Sequence, residues 1–266
     1  MKKSFRVAIL DLYEGRPNQG MRCIRQLLDQ HGQTTGDLLD VQVFDVRLKT
    51  EVPGTDFDWY ISTGGPGSPL ESEGSAWETA YFRWLSEMEP LKKFIYFICH
   101  SFELVCRHYG LAQVLPRRST AFGVFPVHRI ESGSNEPLFQ GLPDPFYAVD
   151  SRDFQVIRPD REALKRLGAT LLCLEKERPH VPLERALMGI RFNPYWIGTQ
   201  FHPEADAAGM RQYLLMEDKK QAVIAEHGEA KWRNMIEQLE DPDKIMCTYR
   251  HILPNFFRQA SKNALD

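Results

Sequence analysis

Two short segments, far apart in the chain, carry residue types that can do acyl-transfer chemistry together. Phe94-Ile95-Tyr96-Phe97-Ile98-Cys99 ends in a thiol, and Gly198-Thr199-Gln200-Phe201-His202-Pro203-Glu204 offers an imidazole with a carboxylate two residues on. A thiol nucleophile needs a base to take its proton, and the base needs a third group to hold its ring and tautomer. Cys99, His202 and Glu204 are candidates for those three roles. In an extended or turn segment alternate side chains point the same way. Glu204 can then hold one imidazole nitrogen while the other accepts the thiol proton. Each piece also has a plainer reading on its own: a cysteine ending an apolar run is commonly a core residue, and a His-x-Glu is commonly surface.

The elements around these residues give them positions. Phe94 to Ile98 is a continuous apolar run, as expected of a strand buried on both faces. The sequence after Cys99 is helix-like, which puts the thiol at a helix N-terminus, where N–H groups and the helix dipole favour a thiolate. Upstream, Phe5 to Leu12 reads as a strand, and Glu14-Gly15-Arg16-Pro17-Asn18 as a turn ending in a helix N-cap. Met21, Ile24, Leu27 and Leu28 recur at helical spacing, with Gly32 just past the helix end. Val41 to Val46 and Trp59-Tyr60-Ile61 read as strands, and Trp77 to Met88 as a helix. From Gly123 to Val149 the pattern is β-like, and short strands are expected at Thr170–Leu174 and Trp196–Phe201.

Strands alternating with helices predict an α/β fold: an open, mostly parallel central sheet flanked by helices, in flavodoxin-like layers. Sites in such sheets lie beyond the strand C-terminal ends. Ser62-Thr63-Gly64-Gly65-Pro66-Gly67 and Cys99 both follow strands, so both belong on that rim. The glycines let backbone N–H groups approach a ligand closely, which suits an oxyanion hole. The loop lacks the Lys-Ser/Thr ending of a phosphate loop.

Together the three segments resemble the class I (triad type) glutamine amidotransferase family, and are similar to the amidotransferase domain of GMP synthases. That family's pattern is a Ser-Gly-Gly-Pro-Gly loop, a Gly-x-Cys-x-Gly-x-Gln elbow and a terminal Gly-x-Gln-Phe-His-Pro-Glu. The last motif is complete from Gly198 to Glu204, and the resemblance covers roughly residues 5 to 206. It implies hydrolysis of the glutamine γ-amide through a γ-glutamyl thioester on Cys99, with His202 as base and then acid, oriented by Glu204. It further implies an oxyanion hole from the backbone of Gly65 and His100, substrate contacts at Gly64, Gly67 and Glu103, and no cofactor or metal. Ammonia would pass to a synthase partner. The small-molecule substrate would be glutamine or another γ-glutamyl compound.

The elbow departs from the family pattern. Phe97 and Ser101 stand where the family has glycines, and Glu103 where it has glutamine. Cys99-x-x-Phe102-Glu103 is instead similar to the corresponding stretch of γ-glutamyl hydrolases, which leaves a γ-glutamyl peptide or conjugate hydrolase as an alternative. A catalytically weak binding or regulatory subunit is a third reading. His202 is expected to be a better base than His100, which would contribute its backbone N–H. Asp150-Ser151-Arg152-Asp153 reads as a turn, with substrate contacts from Arg152 or Asp153 as the alternative.

With 266 residues, the chain suits one large α/β domain, or one domain with an appendage. A formal charge of −3 gives no electrostatic case for nucleic acid. Arg117-Arg118 and Lys219-Lys220 are expected to be solvated surface. No stretch reaches the roughly 18 apolar residues of a membrane span. Five scattered cysteines form neither a disulfide ladder nor a CxxC pair, so a cytoplasmic, reduced setting is expected. Residues 1–206 are expected to form the amidotransferase-like domain and 207–266 a C-terminal helical extension, interrupted at Asp241-Pro242-Asp243. The extension either packs on the parent domain or serves as a lid or as a docking surface for a partner or a second copy.

Overall fold

The computed structural model describes residues 2–180, 182–241 and 243–264. In chain order the elements are β1 (Ser4–Asp11), α1 (Gln19–Thr35), β2 (Leu38–Asp45), α2 (Val46–Lys49), β3 (Trp59–Ser62), α3 (Ala76–Met88), β4 (Phe94–Ile98) and α4 (His100–His108). Next come β5 (Gln113–Arg129), β6 (Phe146–Ile157), α5 (Arg161–Leu167), β7 (Thr170–Leu174), β8 (Leu187–Arg191) and β9 (Trp196–Thr199). The chain closes with α6 (Ala207–Leu215), α7 (Glu217–His227), α8 (Glu229–Glu240) and α9 (Ile245–Asn263).

The strands form one nine-stranded sheet in the order β2-β1-β3-β4-β9-β8-β7-β5-β6. From β2 to β9 every pairing is parallel. From β9 to β6 every pairing is antiparallel. The sheet is therefore mixed, and the expected "mostly parallel" description is imprecise. The cause lies in the connections. Parallel neighbours need a long crossover, usually helical. β5 and β6 are joined without an α-helix, and β8 and β9 by a short turn, so both pairs fold back as antiparallel neighbours.

Side chains alternate across the parallel strands and build a core on each face. In β4, Phe94, Tyr96 and Ile98 enter the cluster covered by α1 and α9, while Ile95 and Phe97 enter the cluster covered by α3, α4 and α5. Asn18 caps α1 by accepting from the Met21 N–H at 2.9 Å. Gly32 lies inside that helix, and Gly36 ends it in the left-handed conformation at φ 77.

The C-terminal helices fall into two groups. α6, α7 and α8 pack Leu214, Val223, Met235 and Leu239 against Val124 of β5 and Val149 of β6. α9 returns to the first core face, where Phe256 and Phe257 are buried. Phe257 stacks on Trp59 at 6.2 Å between ring centroids. α8 ends at Glu240 and α9 begins at Ile245, around the expected break; Pro242 lies outside the described residues. No helix of the described residues is long and apolar enough to cross a membrane.

Because Phe257 fills a site between α1 and β3, Phe257→Ala should destabilise the full-length protein by about 3–5 kcal/mol. Urea unfolding measures this. A loss below about 1 kcal/mol would mean that α9 is not part of the folding core.

Candidate active site

β3, β4 and β9 are adjacent and parallel, so their C-terminal ends share one rim. Ser62 pairs with Phe97, and Ile98 with Thr199. The glycine loop, Cys99 and the segment leading to His202 thus emerge side by side. The Cys99 N–H donates to the Thr199 carbonyl at 2.8 Å, tying the β4 end to the β9 end.

Cys99 occupies the turn between β4 and α4 with φ 49 and ψ −98. A non-glycine residue held there costs on the order of 1–3 kcal/mol, and such strain lifts a nucleophile out of the sheet. Neither departing residue displaces it. Phe97 points away into the second core, edge-on to Phe192 and Trp196 with centroids 5.7 Å away in each case. Opposite Phe97, Gly198 leaves space for the Phe102 and Phe192 rings, each 3.0 Å from where its Cβ would be. The Ser101 hydroxyl accepts from the Ile98 N–H at 2.8 Å and lies 2.9 Å from the Ser62 carbonyl, linking the elbow to β3.

His202 meets Cys99 across the rim. A Cβ on Gly64 would lie 3.0 Å from His202 Cε1 and 3.6 Å from Cys99 Cβ, so this loop position contacts both residues and has little room for a side chain. The His202 N–H donates to the Val149 carbonyl at 2.9 Å, fixing its backbone against β6. Its Nδ1 is 2.8 Å from Glu204 Oε1, in a carboxylate that is 1 % exposed. This pairing leaves Nε2 for the thiol. Burial pushes the Cys99 thiol up, and the attraction of His202 opposes that. Burial opposes a charge on His202, yet Glu204 and Cys99 outweigh it and raise the imidazole well above its ordinary value. The thiol and the imidazole are therefore coupled, and the pair holds one proton that either group can carry.

The two expected N–H donors also lie on this rim. His100 opens α4, so its N–H is one of the orphan donors of a helix first turn. Burial, then Arg47 and Arg107, lower the His100 imidazole to about 3, which makes its ring a poor base. Gly65 packs on the β1 end: a Cβ there would lie 2.5 Å from the Leu12 carbonyl oxygen, so only glycine fits. Gly67 has φ +83, and the Arg47 guanidinium donates to the neighbouring Pro66 carbonyl at 2.5 Å.

Glu103 points into the same region, and sequence reasoning missed its partner. Gln200 Nε2 donates to Glu103 Oε1 at 3.0 Å and lies 3.7 Å from Cys99 Sγ. Burial raises the Glu103 carboxyl to about 8, so it is predominantly protonated and neutral near pH 7. Gln200 is part of the Gly198–Glu204 motif, but nothing in spacing alone marks it as Glu103's neighbour. The expected turn at 150–153 is instead part of β6, because its residues pair with 120s positions of β5. Ser151 presents its carbonyl 3.9 Å from Cys99 Sγ. Arg152 is buried and binds Asp150 and Glu175. Arg117 also binds Glu175 and is only 10 % exposed, contrary to the expectation of a solvated side chain.

Beside His202 and Glu204 opens a cleft of 520 Å³ that Tyr13, Phe122, Met210 and Tyr213 help to line. Its walls come from the turn before α1, from β5 and β6, and from α6.

The model of the family "Glutamine amidotransferase class-I" matches residues 23–220, and the chain belongs to that family. The match runs past residue 206 into α7. Solved structures share the fold. A glutamine amidotransferase from Thermotoga maritima superposes with TM-score 0.69 at 16% identity, over 96% of this chain and 97% of that chain. A putative GMP synthase subunit from Thermoplasma acidophilum gives 0.55 at 15% identity, over 97% and 98%. The glutaminase domain of Trypanosoma brucei CTPS, solved with bound acivicin, gives 0.62 at 12% identity, over 97% and 94%. None of the curated protein sequences matches this chain.

Glu103 carries a pH signature. It keeps its proton up to about 8 in the fold but loses it near 4.5 in the unfolded chain. Its stabilising contribution is therefore complete below about 4.5 and is lost as pH rises to about 8. Compared by urea unfolding, Glu103→Gln should gain on the wild type by on the order of 3 kcal/mol more at pH 8 than at pH 5. A pH-independent difference would mean that Glu103 is already ionised in the fold.

Proposed function

We propose that this protein is a cysteine-dependent glutaminase that releases ammonia from the γ-amide of glutamine. The observation that carries the reading is the Nδ1–Oε1 contact of 2.8 Å between His202 and Glu204, on the rim where Cys99 stands at a strained elbow. Sγ attacks the carboxamide carbon while its proton moves to His202 Nε2. The N–H groups of Gly65 and His100 stabilise the oxyanion. As the tetrahedral intermediate collapses, the C–N bond breaks and His202 returns the proton to the leaving nitrogen, giving ammonia and a γ-glutamyl thioester. Water activated by His202 then cleaves the thioester to glutamate and restores the thiol.

Gly64 and Gly67 shape the backbone around the substrate, and Glu103 with Gln200 meets its γ-glutamyl portion. A neutral Glu103 has an O–H donor and a carbonyl acceptor, the pair an amide side chain offers. Released ammonia serves a synthase partner. All five cysteines are free, which supports a reducing, cytoplasmic setting. We also propose residues 1–206 as the catalytic unit, with 207–266 as a helical extension whose α6 borders its cleft.

A second reading is a γ-glutamyl peptide or conjugate hydrolase. The cleft of 520 Å³ beside His202 favours it, since a departing ammonia needs far less room.

The test measures ammonia from glutamine and cleavage of a γ-glutamyl peptide with the full chain. Cys99→Ala should lower the active reaction by about a thousandfold or more. Turnover of the peptide without glutaminase activity would select the second reading. Activity retained in Cys99→Ala would overturn both. Because Glu204 raises His202, Glu204→Gln should slow turnover about a hundredfold or more and move the acidic limb of the kcat/KM profile to lower pH. An unchanged rate and limb would remove Glu204 from the mechanism.

A further inference from the structure

β6 has two faces. Val149 and Ser151 line the cleft beside His202, whereas Ala148 and Asp150 line a separate cavity of 200 Å³. Val127, Met188 and Phe201 join Ala148 in an apolar floor. Arg117 of β5, Lys176 and Arg178 after β7, and Lys231 of α8 bring positive charge to its walls. The Lys176 and Lys231 ammonium groups lie 4.0 and 4.8 Å from the centroid of the Phe125 ring, which also lines the cavity.

The carboxylates at this cavity are already engaged. Asp150 accepts from Arg152 at 2.8 and 3.0 Å. Glu175 accepts from Arg117 at 3.3 Å and Arg152 at 3.0 Å, and also from Arg178. Lys176 and Lys231 form no ion pair among the described residues. Burial, then the proximity of Lys231 and Arg178, lowers Lys176 below the ordinary lysine value. Burial lowers Lys231 likewise, and burial with Arg152 lowers Arg117. Converging, partly desolvated cations of this kind are stabilised by an anion.

We infer that this cavity binds a small organic dianion, a phosphate monoester or a dicarboxylate, with its charged oxygens at Lys176 and Lys231 and its carbon body on the Val127–Ala148–Met188–Phe201 floor. A volume of 200 Å³ has room for a molecule of about three to five carbons. The site is separate from Cys99 and does not depend on the reaction proposed there.

Thermal unfolding of the full chain at low ionic strength tests it with four solutes: glycerol 2-phosphate, succinate, inorganic phosphate, and sodium chloride at matched ionic strength. One organic dianion should raise the midpoint in a concentration-dependent way, more than inorganic phosphate and with no effect of chloride. The more effective of the two identifies the charged group. Lys176→Gln combined with Lys231→Gln should weaken the apparent affinity about tenfold or more, whereas the exposed control Lys165→Gln should not. The single variants, each at a partly exposed lysine, give the same reading at about threefold or more if the double variant fails to fold. No shift with either organic dianion, an equal shift with inorganic phosphate or chloride, or an undiminished shift in the lysine variants would overturn the assignment.

Discussion

Parallel pairing of β3, β4 and β9 is the constraint on which the rest of the site depends. Adjacent strands lie about 4.8 Å apart, so residues just beyond three neighbouring strand ends are brought within side-chain reach without any long loop. The glycine loop, Cys99 and the His202 segment are such residues. The bond from the Cys99 N–H to the Thr199 carbonyl continues the β4–β9 ladder by one residue and fixes the depth of the nucleophile relative to the base. The strain at Cys99 persists because the core on both faces of β4 holds the strand below it, while α4 holds the chain above.

Burial sets the chemistry on this rim, and it acts differently on each group. It favours the neutral thiol of Cys99 and the neutral acid of Glu103. On His202 it is outweighed by the Glu204 carboxylate. Glu204, buried with the imidazole, is what draws the shared proton towards His202. In the proposed reaction, an ionised Glu103 would add negative charge beside the developing oxyanion, whereas a neutral acid does not. That is how a glutamate can stand where the family has glutamine without opposing attack on an amide.

Much of this was legible in the sequence because it depends on local pattern. Asn18, the apolar run of β4 and the complete Gly198–Glu204 motif each specify their own conformation, and the α/β class follows from their alternation. What was not legible depends on pairing. Antiparallel return of β5 to β8 follows from what connects the strands, and the β-like pattern of residues 123–149 is compatible with either direction. The place of the Phe97 ring was not legible because its neighbours, Phe192 and Trp196, are distant in sequence. Arg117 looked solvated because its partner, Glu175, is distant in sequence and reaches it only after β7 pairs with β5. Gln200 was missed for the same reason: its role comes from Glu103, on a different element.

β6 links the polar chemistry on the two sides of the sheet. One of its faces gives the Ser151 carbonyl beside Cys99, and the other holds Asp150 and Arg152 in a buried ion network with Glu175. Burial raises the Glu103 carboxyl against the lowering by Gln200 and Arg152, and Asp150 adds to the rise. A buried network of this kind adds little stability over an apolar core, yet losing one partner costs about 3–5 kcal/mol. Its value here is placement. Arg152 hydrogen-bonds to two carboxylates, Asp150 and Glu175, and forms no hydrogen bond to Glu103.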